Sequence, residues 1–111
     1  MLIKRGEVYW VAFDHSLGGE IRKTRPAIVI SNNAVNLTQN RVQVVPLTSR
    51  THRLYPGEAL IELRGEKRKA MASQLGTASK LRFGAKLGVL NVEDIAQVEA
   101  AIAVQLGLTL K

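Results

Sequence analysis

The first 90 residues divide into short runs of β-forming residues, each closed by a turn signal, and this punctuation restricts the fold more than any other feature of the chain. "GEVYWVAFD" (6–14) is rich in aromatic and β-branched residues, the types that suit a pleated surface. "PAIVIS" (26–31) is apolar at successive positions, which predicts a central strand buried on both faces. "RVQVVPLTS" (41–49) predicts a third strand, with Pro46 moving its end to an edge or a bulge. "GEALIEL" (57–63) follows the turn "YPG" and alternates, so one of its faces is the wetter. "KAMASQL" (69–75) and "AKLGVL" (85–90) complete six strands. Six short strands at this spacing predict a small barrel.

The connections carry two further expectations. "SLGGE" (16–20) opens a loop of about 12 residues between the first two strands. "SNNAVNL" (31–37) begins with three good N-cap types and predicts one short helical turn. The helix of the chain lies at its end. Asn91 is placed to cap it, Glu93 and Asp94 suit the positive end of its dipole, and Gly107 stops it. Val92, Ile95, Val98, Ile102 and Leu106 recur at spacings of three and four, an apolar stripe suited to covering the open end of a barrel. The whole is mainly β with a C-terminal helix, read as one domain over 1–111.

Composition removes several functions. With no cysteine in the chain, disulfides, thiol nucleophiles and zinc–cysteine sites are excluded. His15 and His52 stand in separate loops without ligand spacing, so no metal site is expected. No segment has the length of a membrane span and "MLIKRGEVYW" lacks a signal-peptide core, so a cytoplasmic protein is expected. Glycine-rich phosphate loops and serine-hydrolase signatures are also missing. Three of the five aromatics, Tyr9, Trp10 and Phe13, share one strand, which disfavours a sheet that binds RNA by stacking.

The charge pattern is positive evidence. The net charge is +7, and no acid occurs between Glu20 and Glu58, where Arg22, Lys23, Arg25, Arg41, Arg50 and Arg53 all fall. Arg64, Lys67, Arg68, Lys69, Lys80, Arg82 and Lys86 form a second basic stretch. Clustered cations of this kind are the footprint of a polyanion binder. Within them "IRKTRPAIVI" (21–30) sets an arginine against a proline at the mouth of a buried strand. Pro26 restricts Arg25 to extended backbone, so its guanidinium fork can meet a phosphate repeatedly in one geometry. The same position also suits a salt bridge to Glu20. In "PLTS" (46–49), Thr48 and Ser49 leave the core just ahead of Arg50. Strand ends converge in a small barrel, which would set Thr48 beside Arg25; capping a turn is the other role open to Thr48.

Taken in order, "RGEVYWVAFD", "LGGEIRKTRPAIVIS", "VVPLTS", "YPGE" and "SQLGTASKLR" resemble the blocks of the MazF/PemK-type toxins of type II toxin–antitoxin systems. The likeness spans about Lys4 to Gly107 and rests on the combination of blocks. It implies an SH3-like barrel of the CcdB/PemK kind, acting as a homodimer in the cytoplasm. It also implies a metal-independent endoribonuclease, needing no cofactor, that cuts single-stranded RNA at a short preferred sequence. The family's catalytic arginine falls on Arg25, its catalytic threonine on Thr48, its loop glutamate on Glu20 and its RNA-contacting glutamine on Gln74. Arg22, Lys23, Thr24, Ser49 and Arg50 are the neighbouring candidates for RNA contact. A cognate antitoxin with an acidic, partly disordered segment would suit the basic surface. Where the family carries an acid and an arginine, this chain has Ser73 and Gly76. Two other readings use the same fold: a gyrase-inhibiting toxin, and a non-catalytic barrel that binds RNA or protein.

Overall fold

The protein is described by a computed structural model covering residues 2–13 and 23–109. It holds seven strands: β1 (Glu7–Phe13), β2 (Lys23–Val29), β3 (Arg41–Thr48), β4 (Glu58–Leu63), β5 (Glu66–Met71), β6 (Gly76–Ser79) and β7 (Phe83–Val89). A short helix α1 (Asn33–Thr38) links β2 to β3, and α2 (Val92–Leu106) ends the fold. Pairing is antiparallel throughout and runs β4-β5-β3-β2-β1-β7, with β6 added beside β3.

β3 controls this layout. Along one edge Arg41–Val44 pair with β6, whereas Leu47 and Thr48 pair with β5. Val45 and Pro46 fall at the changeover. Pro46 therefore does not end the strand or sit at its edge: it is buried, opposite Ala27 of β2, at the break between two ladders. β2 is central as expected, with β1 and β3 on either side and Ala27, Ile28 and Val29 fully buried. Its alternating side chains divide between two cores. Ile28 joins Val8, Val45, Leu47, Ile61 and Val98, while Ala27 and Val29 join Tyr9, Val11, Val44 and Phe83.

Among the described residues the barrel does not close by hydrogen bonds. β4 and β7 are the two ends of the path, yet a Cβ built on Gly88 of β7 would stand 3.3 Å from Leu63 Cδ1 of β4. The sheet thus curls until its ends meet through side chains. One more strand is present than expected, because β6 is the four-residue segment Gly76–Ser79. The fifth expected strand is also displaced towards the N-terminus. Arg64 (φ 54°) and Gly65 (φ 81°) form a tight turn joining β4 to β5, and "SQ" belongs instead to a 3-10 turn at Ala72–Gln74. Positive φ at both central residues is what a two-residue hairpin with right-handed strand twist requires.

The helix caps behave as the side chains dictate. Asn32 and Asn91 accept from Val35 N and Asp94 N, and Gly107 closes α2 in the left-handed conformation (φ 69°). α2 packs against β4 and the 72–74 turn, burying Val98, Ala101 and Ala103 with Ile95 and Ile102 at the margin. The two ends of the expected stripe, Val92 and Leu106, face outward.

Candidate active site

Proline and register together place the first site residue. Arg25 lies on β2 opposite Val11 of β1, just before Pro26 and the buried run Ala27–Val29. The β2–β3 ladder pairs Ala27 with Pro46, and stepping that register outward by two residues puts Arg25 opposite Thr48. Adjacent strands lie about 4.8 Å apart, so the two side chains flank the open end of the ladder on one face of the sheet. On its other side Thr48 pairs with Lys69 of β5. Arg25, Thr48 and Lys69 therefore form a row of cation, hydroxyl and cation across three neighbouring strands.

Saturation of the row is uneven. Arg25 is partly buried, and its Nε is fully shielded yet finds no hydrogen-bond partner among the described residues. A shielded donor without an acceptor is uncommon and costly; Arg68 Nε on β5 is the other such atom among the described residues, and Arg25 differs from it in standing opposite Thr48. Thr48 Oγ1 accepts the backbone N–H of Arg50 at 3.2 Å, which turns the chain away from the sheet directly after the hydroxyl. Lys69 is only 8% exposed, and its Nζ lies 3.1 Å from Glu58 Oε1 and 3.0 Å from the carbonyl oxygen of Arg53.

The remaining candidates take different places. Lys23 and Thr24 are exposed at the start of β2, opposite Phe13 and Ala12, and Lys23 has positive φ (92°), an unusual state for a side-chain-bearing residue. Ser49 and Arg50 are exposed at the exit of β3. Gln74 sits in the 72–74 turn that bridges β5 and β6, both partners of one edge of β3, so it lies beside the middle of that strand. Glu20 and Arg22 lie outside the described residues. Gly76 opens β6, and a Cβ there would meet only the backbone oxygen of Gln74 at 3.7 Å, an ordinary contact. Packing thus places no demand for glycine at this position, where the resemblance implies an arginine.

Lys69, Glu58 and Tyr55 enter the site's surroundings without having been singled out from the sequence. The signal was present in "LRGE" (63–66). Recognised as a hairpin turn, it fixes the β4–β5 register and, through Leu47 and Ala70, sets Lys69 beside Thr48.

A second polar cluster lies at the start of β1. Glu7 Oε1 accepts from Tyr9 Oη (2.8 Å) and Lys4 N (2.7 Å), and its Oε2 meets Lys86 Nζ at 2.6 Å. Burial alone would raise the Glu7 pKa, but hydrogen bonds from Lys86, Tyr9 and the Lys4 amide outweigh it and hold the carboxyl below its usual range. The Tyr9 phenol is pushed up to about 12 by burial and by the adjacent carboxylate. These groups satisfy one another.

The fold and the row define a small curled β-sheet protein that sets an arginine and a threonine side by side at the end of one ladder. A model of the PemK-like, MazF-like toxins of type II toxin–antitoxin systems matches residues 4–106. The endoribonuclease MazF9 of Mycobacterium tuberculosis (strain ATCC 25618 / H37Rv) is 30% identical, over 96% of this chain and 98% of its own. Solved structures agree with it. MazF from Deinococcus radiodurans superposes with a TM-score of 0.85 at 25% identity, covering 97% of this chain and 99% of that one. An endoribonuclease from a mycobacterial species, solved in complex with its cognate antitoxin, gives 0.80 at 27% identity, over 98% and 99%. The chain belongs to the PemK-like, MazF-like toxin family.

Proposed function

We propose that this toxin-family protein is an endoribonuclease that cuts single-stranded RNA at a short preferred sequence, without a metal ion. The observation that carries the reading is the Arg25–Thr48 pair at the open end of the β2–β3 ladder, with the Arg25 Nε shielded and unpartnered among the described residues. The endoribonuclease names of the relatives support the same reading over gyrase inhibition or passive binding.

RNA brings its own nucleophile. The 2′-oxygen attacks the adjacent phosphorus and loses its proton, the P–O5′ bond breaks, and the 5′-oxygen takes up a proton. The products are a 2′,3′-cyclic phosphate and a 5′-hydroxyl. The protein's share is orientation together with stabilisation of the charge that builds on the phosphate oxygens. Arg25 supplies that stabilisation through its guanidinium donors, and it also donates towards the leaving oxygen. A guanidinium keeps its proton in proteins, so Arg25 is not the base. Thr48 hydrogen-bonds the phosphate, and Glu20 is assigned as proton acceptor. Arg22, Lys23, Thr24, Ser49, Arg50 and Gln74 hold the flanking nucleotides.

The working form is a cytoplasmic homodimer. Its natural inhibitor is an antitoxin whose acidic, partly disordered segment complements the +7 charge. The mycobacterial complex with a cognate antitoxin supports such a partner. Incubating purified protein with mixed-sequence RNA and a chelator tests the reading. Cleavage to 5′-hydroxyl ends is expected, and intact RNA at excess protein would overturn it.

A further inference from the structure

Lys69 holds the loop that leaves Thr48. Its ammonium is buried on β5 beside Thr48, and all its polar contacts lie within Arg53–Glu58. One bond goes to the Arg53 carbonyl oxygen, one ion pair to Glu58, and the Tyr55 ring centroid lies 5.8 Å from Nζ. Glu58 in turn accepts the Tyr55 amide N–H at 2.8 Å, and Arg53 Nη1 donates to Tyr55 Oη at 2.9 Å. A lysine 8% exposed offers no free charge for attracting RNA phosphate from solvent. Its two donor contacts go to the Arg53 carbonyl and to Glu58 at the start of β4, and so span the second half of a loop that has no strand or helix of its own between Thr48 and Glu58.

Resting on the RNA-cleaving reading above, we propose that Lys69 is a positioning residue for the reaction. By fastening residues 53–58 to β5 it fixes the path of Ser49 and Arg50, and with it the orientation of the Thr48 hydroxyl that accepts the Arg50 amide. Lys69 touches no reacting atom; it acts through the loop. Freed of this hold, the fold keeps its two cores, because both are built from other residues. The site loses its geometry, and displacements of about 1 Å at a reacting centre are enough to lower rates about a hundredfold.

The test compares full-length wild type with Lys69→Met, which keeps the stem and removes the ammonium. A second variant combines Lys69→Met with Glu58→Gln, so that no unpaired carboxylate is left if the single variant folds poorly. Two readouts are taken: amide hydrogen exchange, and single-turnover cleavage at saturating RNA. The expected result is exchange at the Arg50 and Tyr55 amides about tenfold faster or more, with Val44 and Val45 unchanged, as for a local opening. Cleavage should slow by about ten- to a hundredfold. Affinity for the same RNA made uncleavable with 2′-deoxyribose should fall by less than about tenfold, because Ser49 and Arg50 are the only two of the proposed RNA contacts on the released loop. Unchanged loop exchange would overturn the clamp. Faster loop exchange with wild-type cleavage would overturn the positioning role. If wild type itself leaves RNA intact, the proposed function fails and takes the positioning role with it, while the exchange data still report on the clamp.

Discussion

Two polar clusters on neighbouring strands differ in one respect, whether their bonds are complete. Around Glu7 each carboxylate oxygen is engaged, by Lys4, Tyr9 and Lys86, and the group is 7% exposed. Around Arg25 a shielded donor has no acceptor among the described residues. A saturated network of this kind fixes the fold, since removing the buried carboxylate takes the acceptor from the buried Tyr9 hydroxyl and the Lys4 amide at once. An unsaturated one contributes little to stability and is held in place by the strand behind it. The contrast separates residues that maintain the molecule from residues that act.

Substitutions sharpen that contrast, beginning with the largest effect. Arg25→Ala should reduce single-turnover cleavage by about a thousandfold, in the range for loss of a donor aimed at developing charge. Thr48→Ala should cost about a hundredfold on the same grounds, and its loss of the Arg50 contact should add loop disorder visible by hydrogen exchange. Glu7→Ala belongs to the other class. It removes the acceptor shared by Tyr9, Lys86 and the Lys4 amide, leaving Tyr9 Oη only a 3.5 Å contact to the Leu2 carbonyl oxygen, and should lower unfolding free energy by about 2 kcal/mol in denaturant titration, with cleavage per folded molecule unchanged.

pH acts on the same cluster from both sides. The Glu7 pKa is depressed in the folded protein, so its stabilisation is present above the unfolded value near 4.5 and is lost as pH falls through the lower folded value. Tyr9 is raised from 10.0 to about 12, so its contribution is full below pH 10 and declines as pH climbs towards 12. Melting temperature followed against pH should therefore fall at both extremes, and Glu7→Ala should flatten both limbs. The smallest effect is expected at Gly76. Gly76→Arg should fold normally, since nothing crowds its Cβ, and should strengthen RNA binding severalfold at low salt by restoring one phosphate-attracting charge.

Much of this was legible in the chain. Caps and a terminal glycine define α2, because those side chains decide the helix ends locally. The apolar run after Pro26 defines a doubly covered strand, and the proline before it confines Arg25. Other features depend on what lies across from a residue. β6 has only four residues, Gly76–Ser79, too few and too small for periodicity to register. Lys69 resembles any surface lysine until the Arg64–Gly65 turn sets the register that buries it beside Thr48. The missing edge bond of the barrel reflects how far the sheet coils, which accumulates over all strands and is written in no single one. Arg25 itself was legible as a candidate, but its unsatisfied Nε is a property of the assembled site.

Melting temperature and single-turnover RNA cleavage, measured on the same preparations of wild type, Arg25→Ala and Glu7→Ala, test the division between the two clusters most directly. A crossed result is predicted. Arg25→Ala should melt within about 3 °C of wild type and lose cleavage, while Glu7→Ala should melt about 8 °C or more lower and cleave normally while folded. Arg25→Ala that melts far below wild type but still cleaves RNA would contradict the division between the two clusters, and with it the assignment of the site.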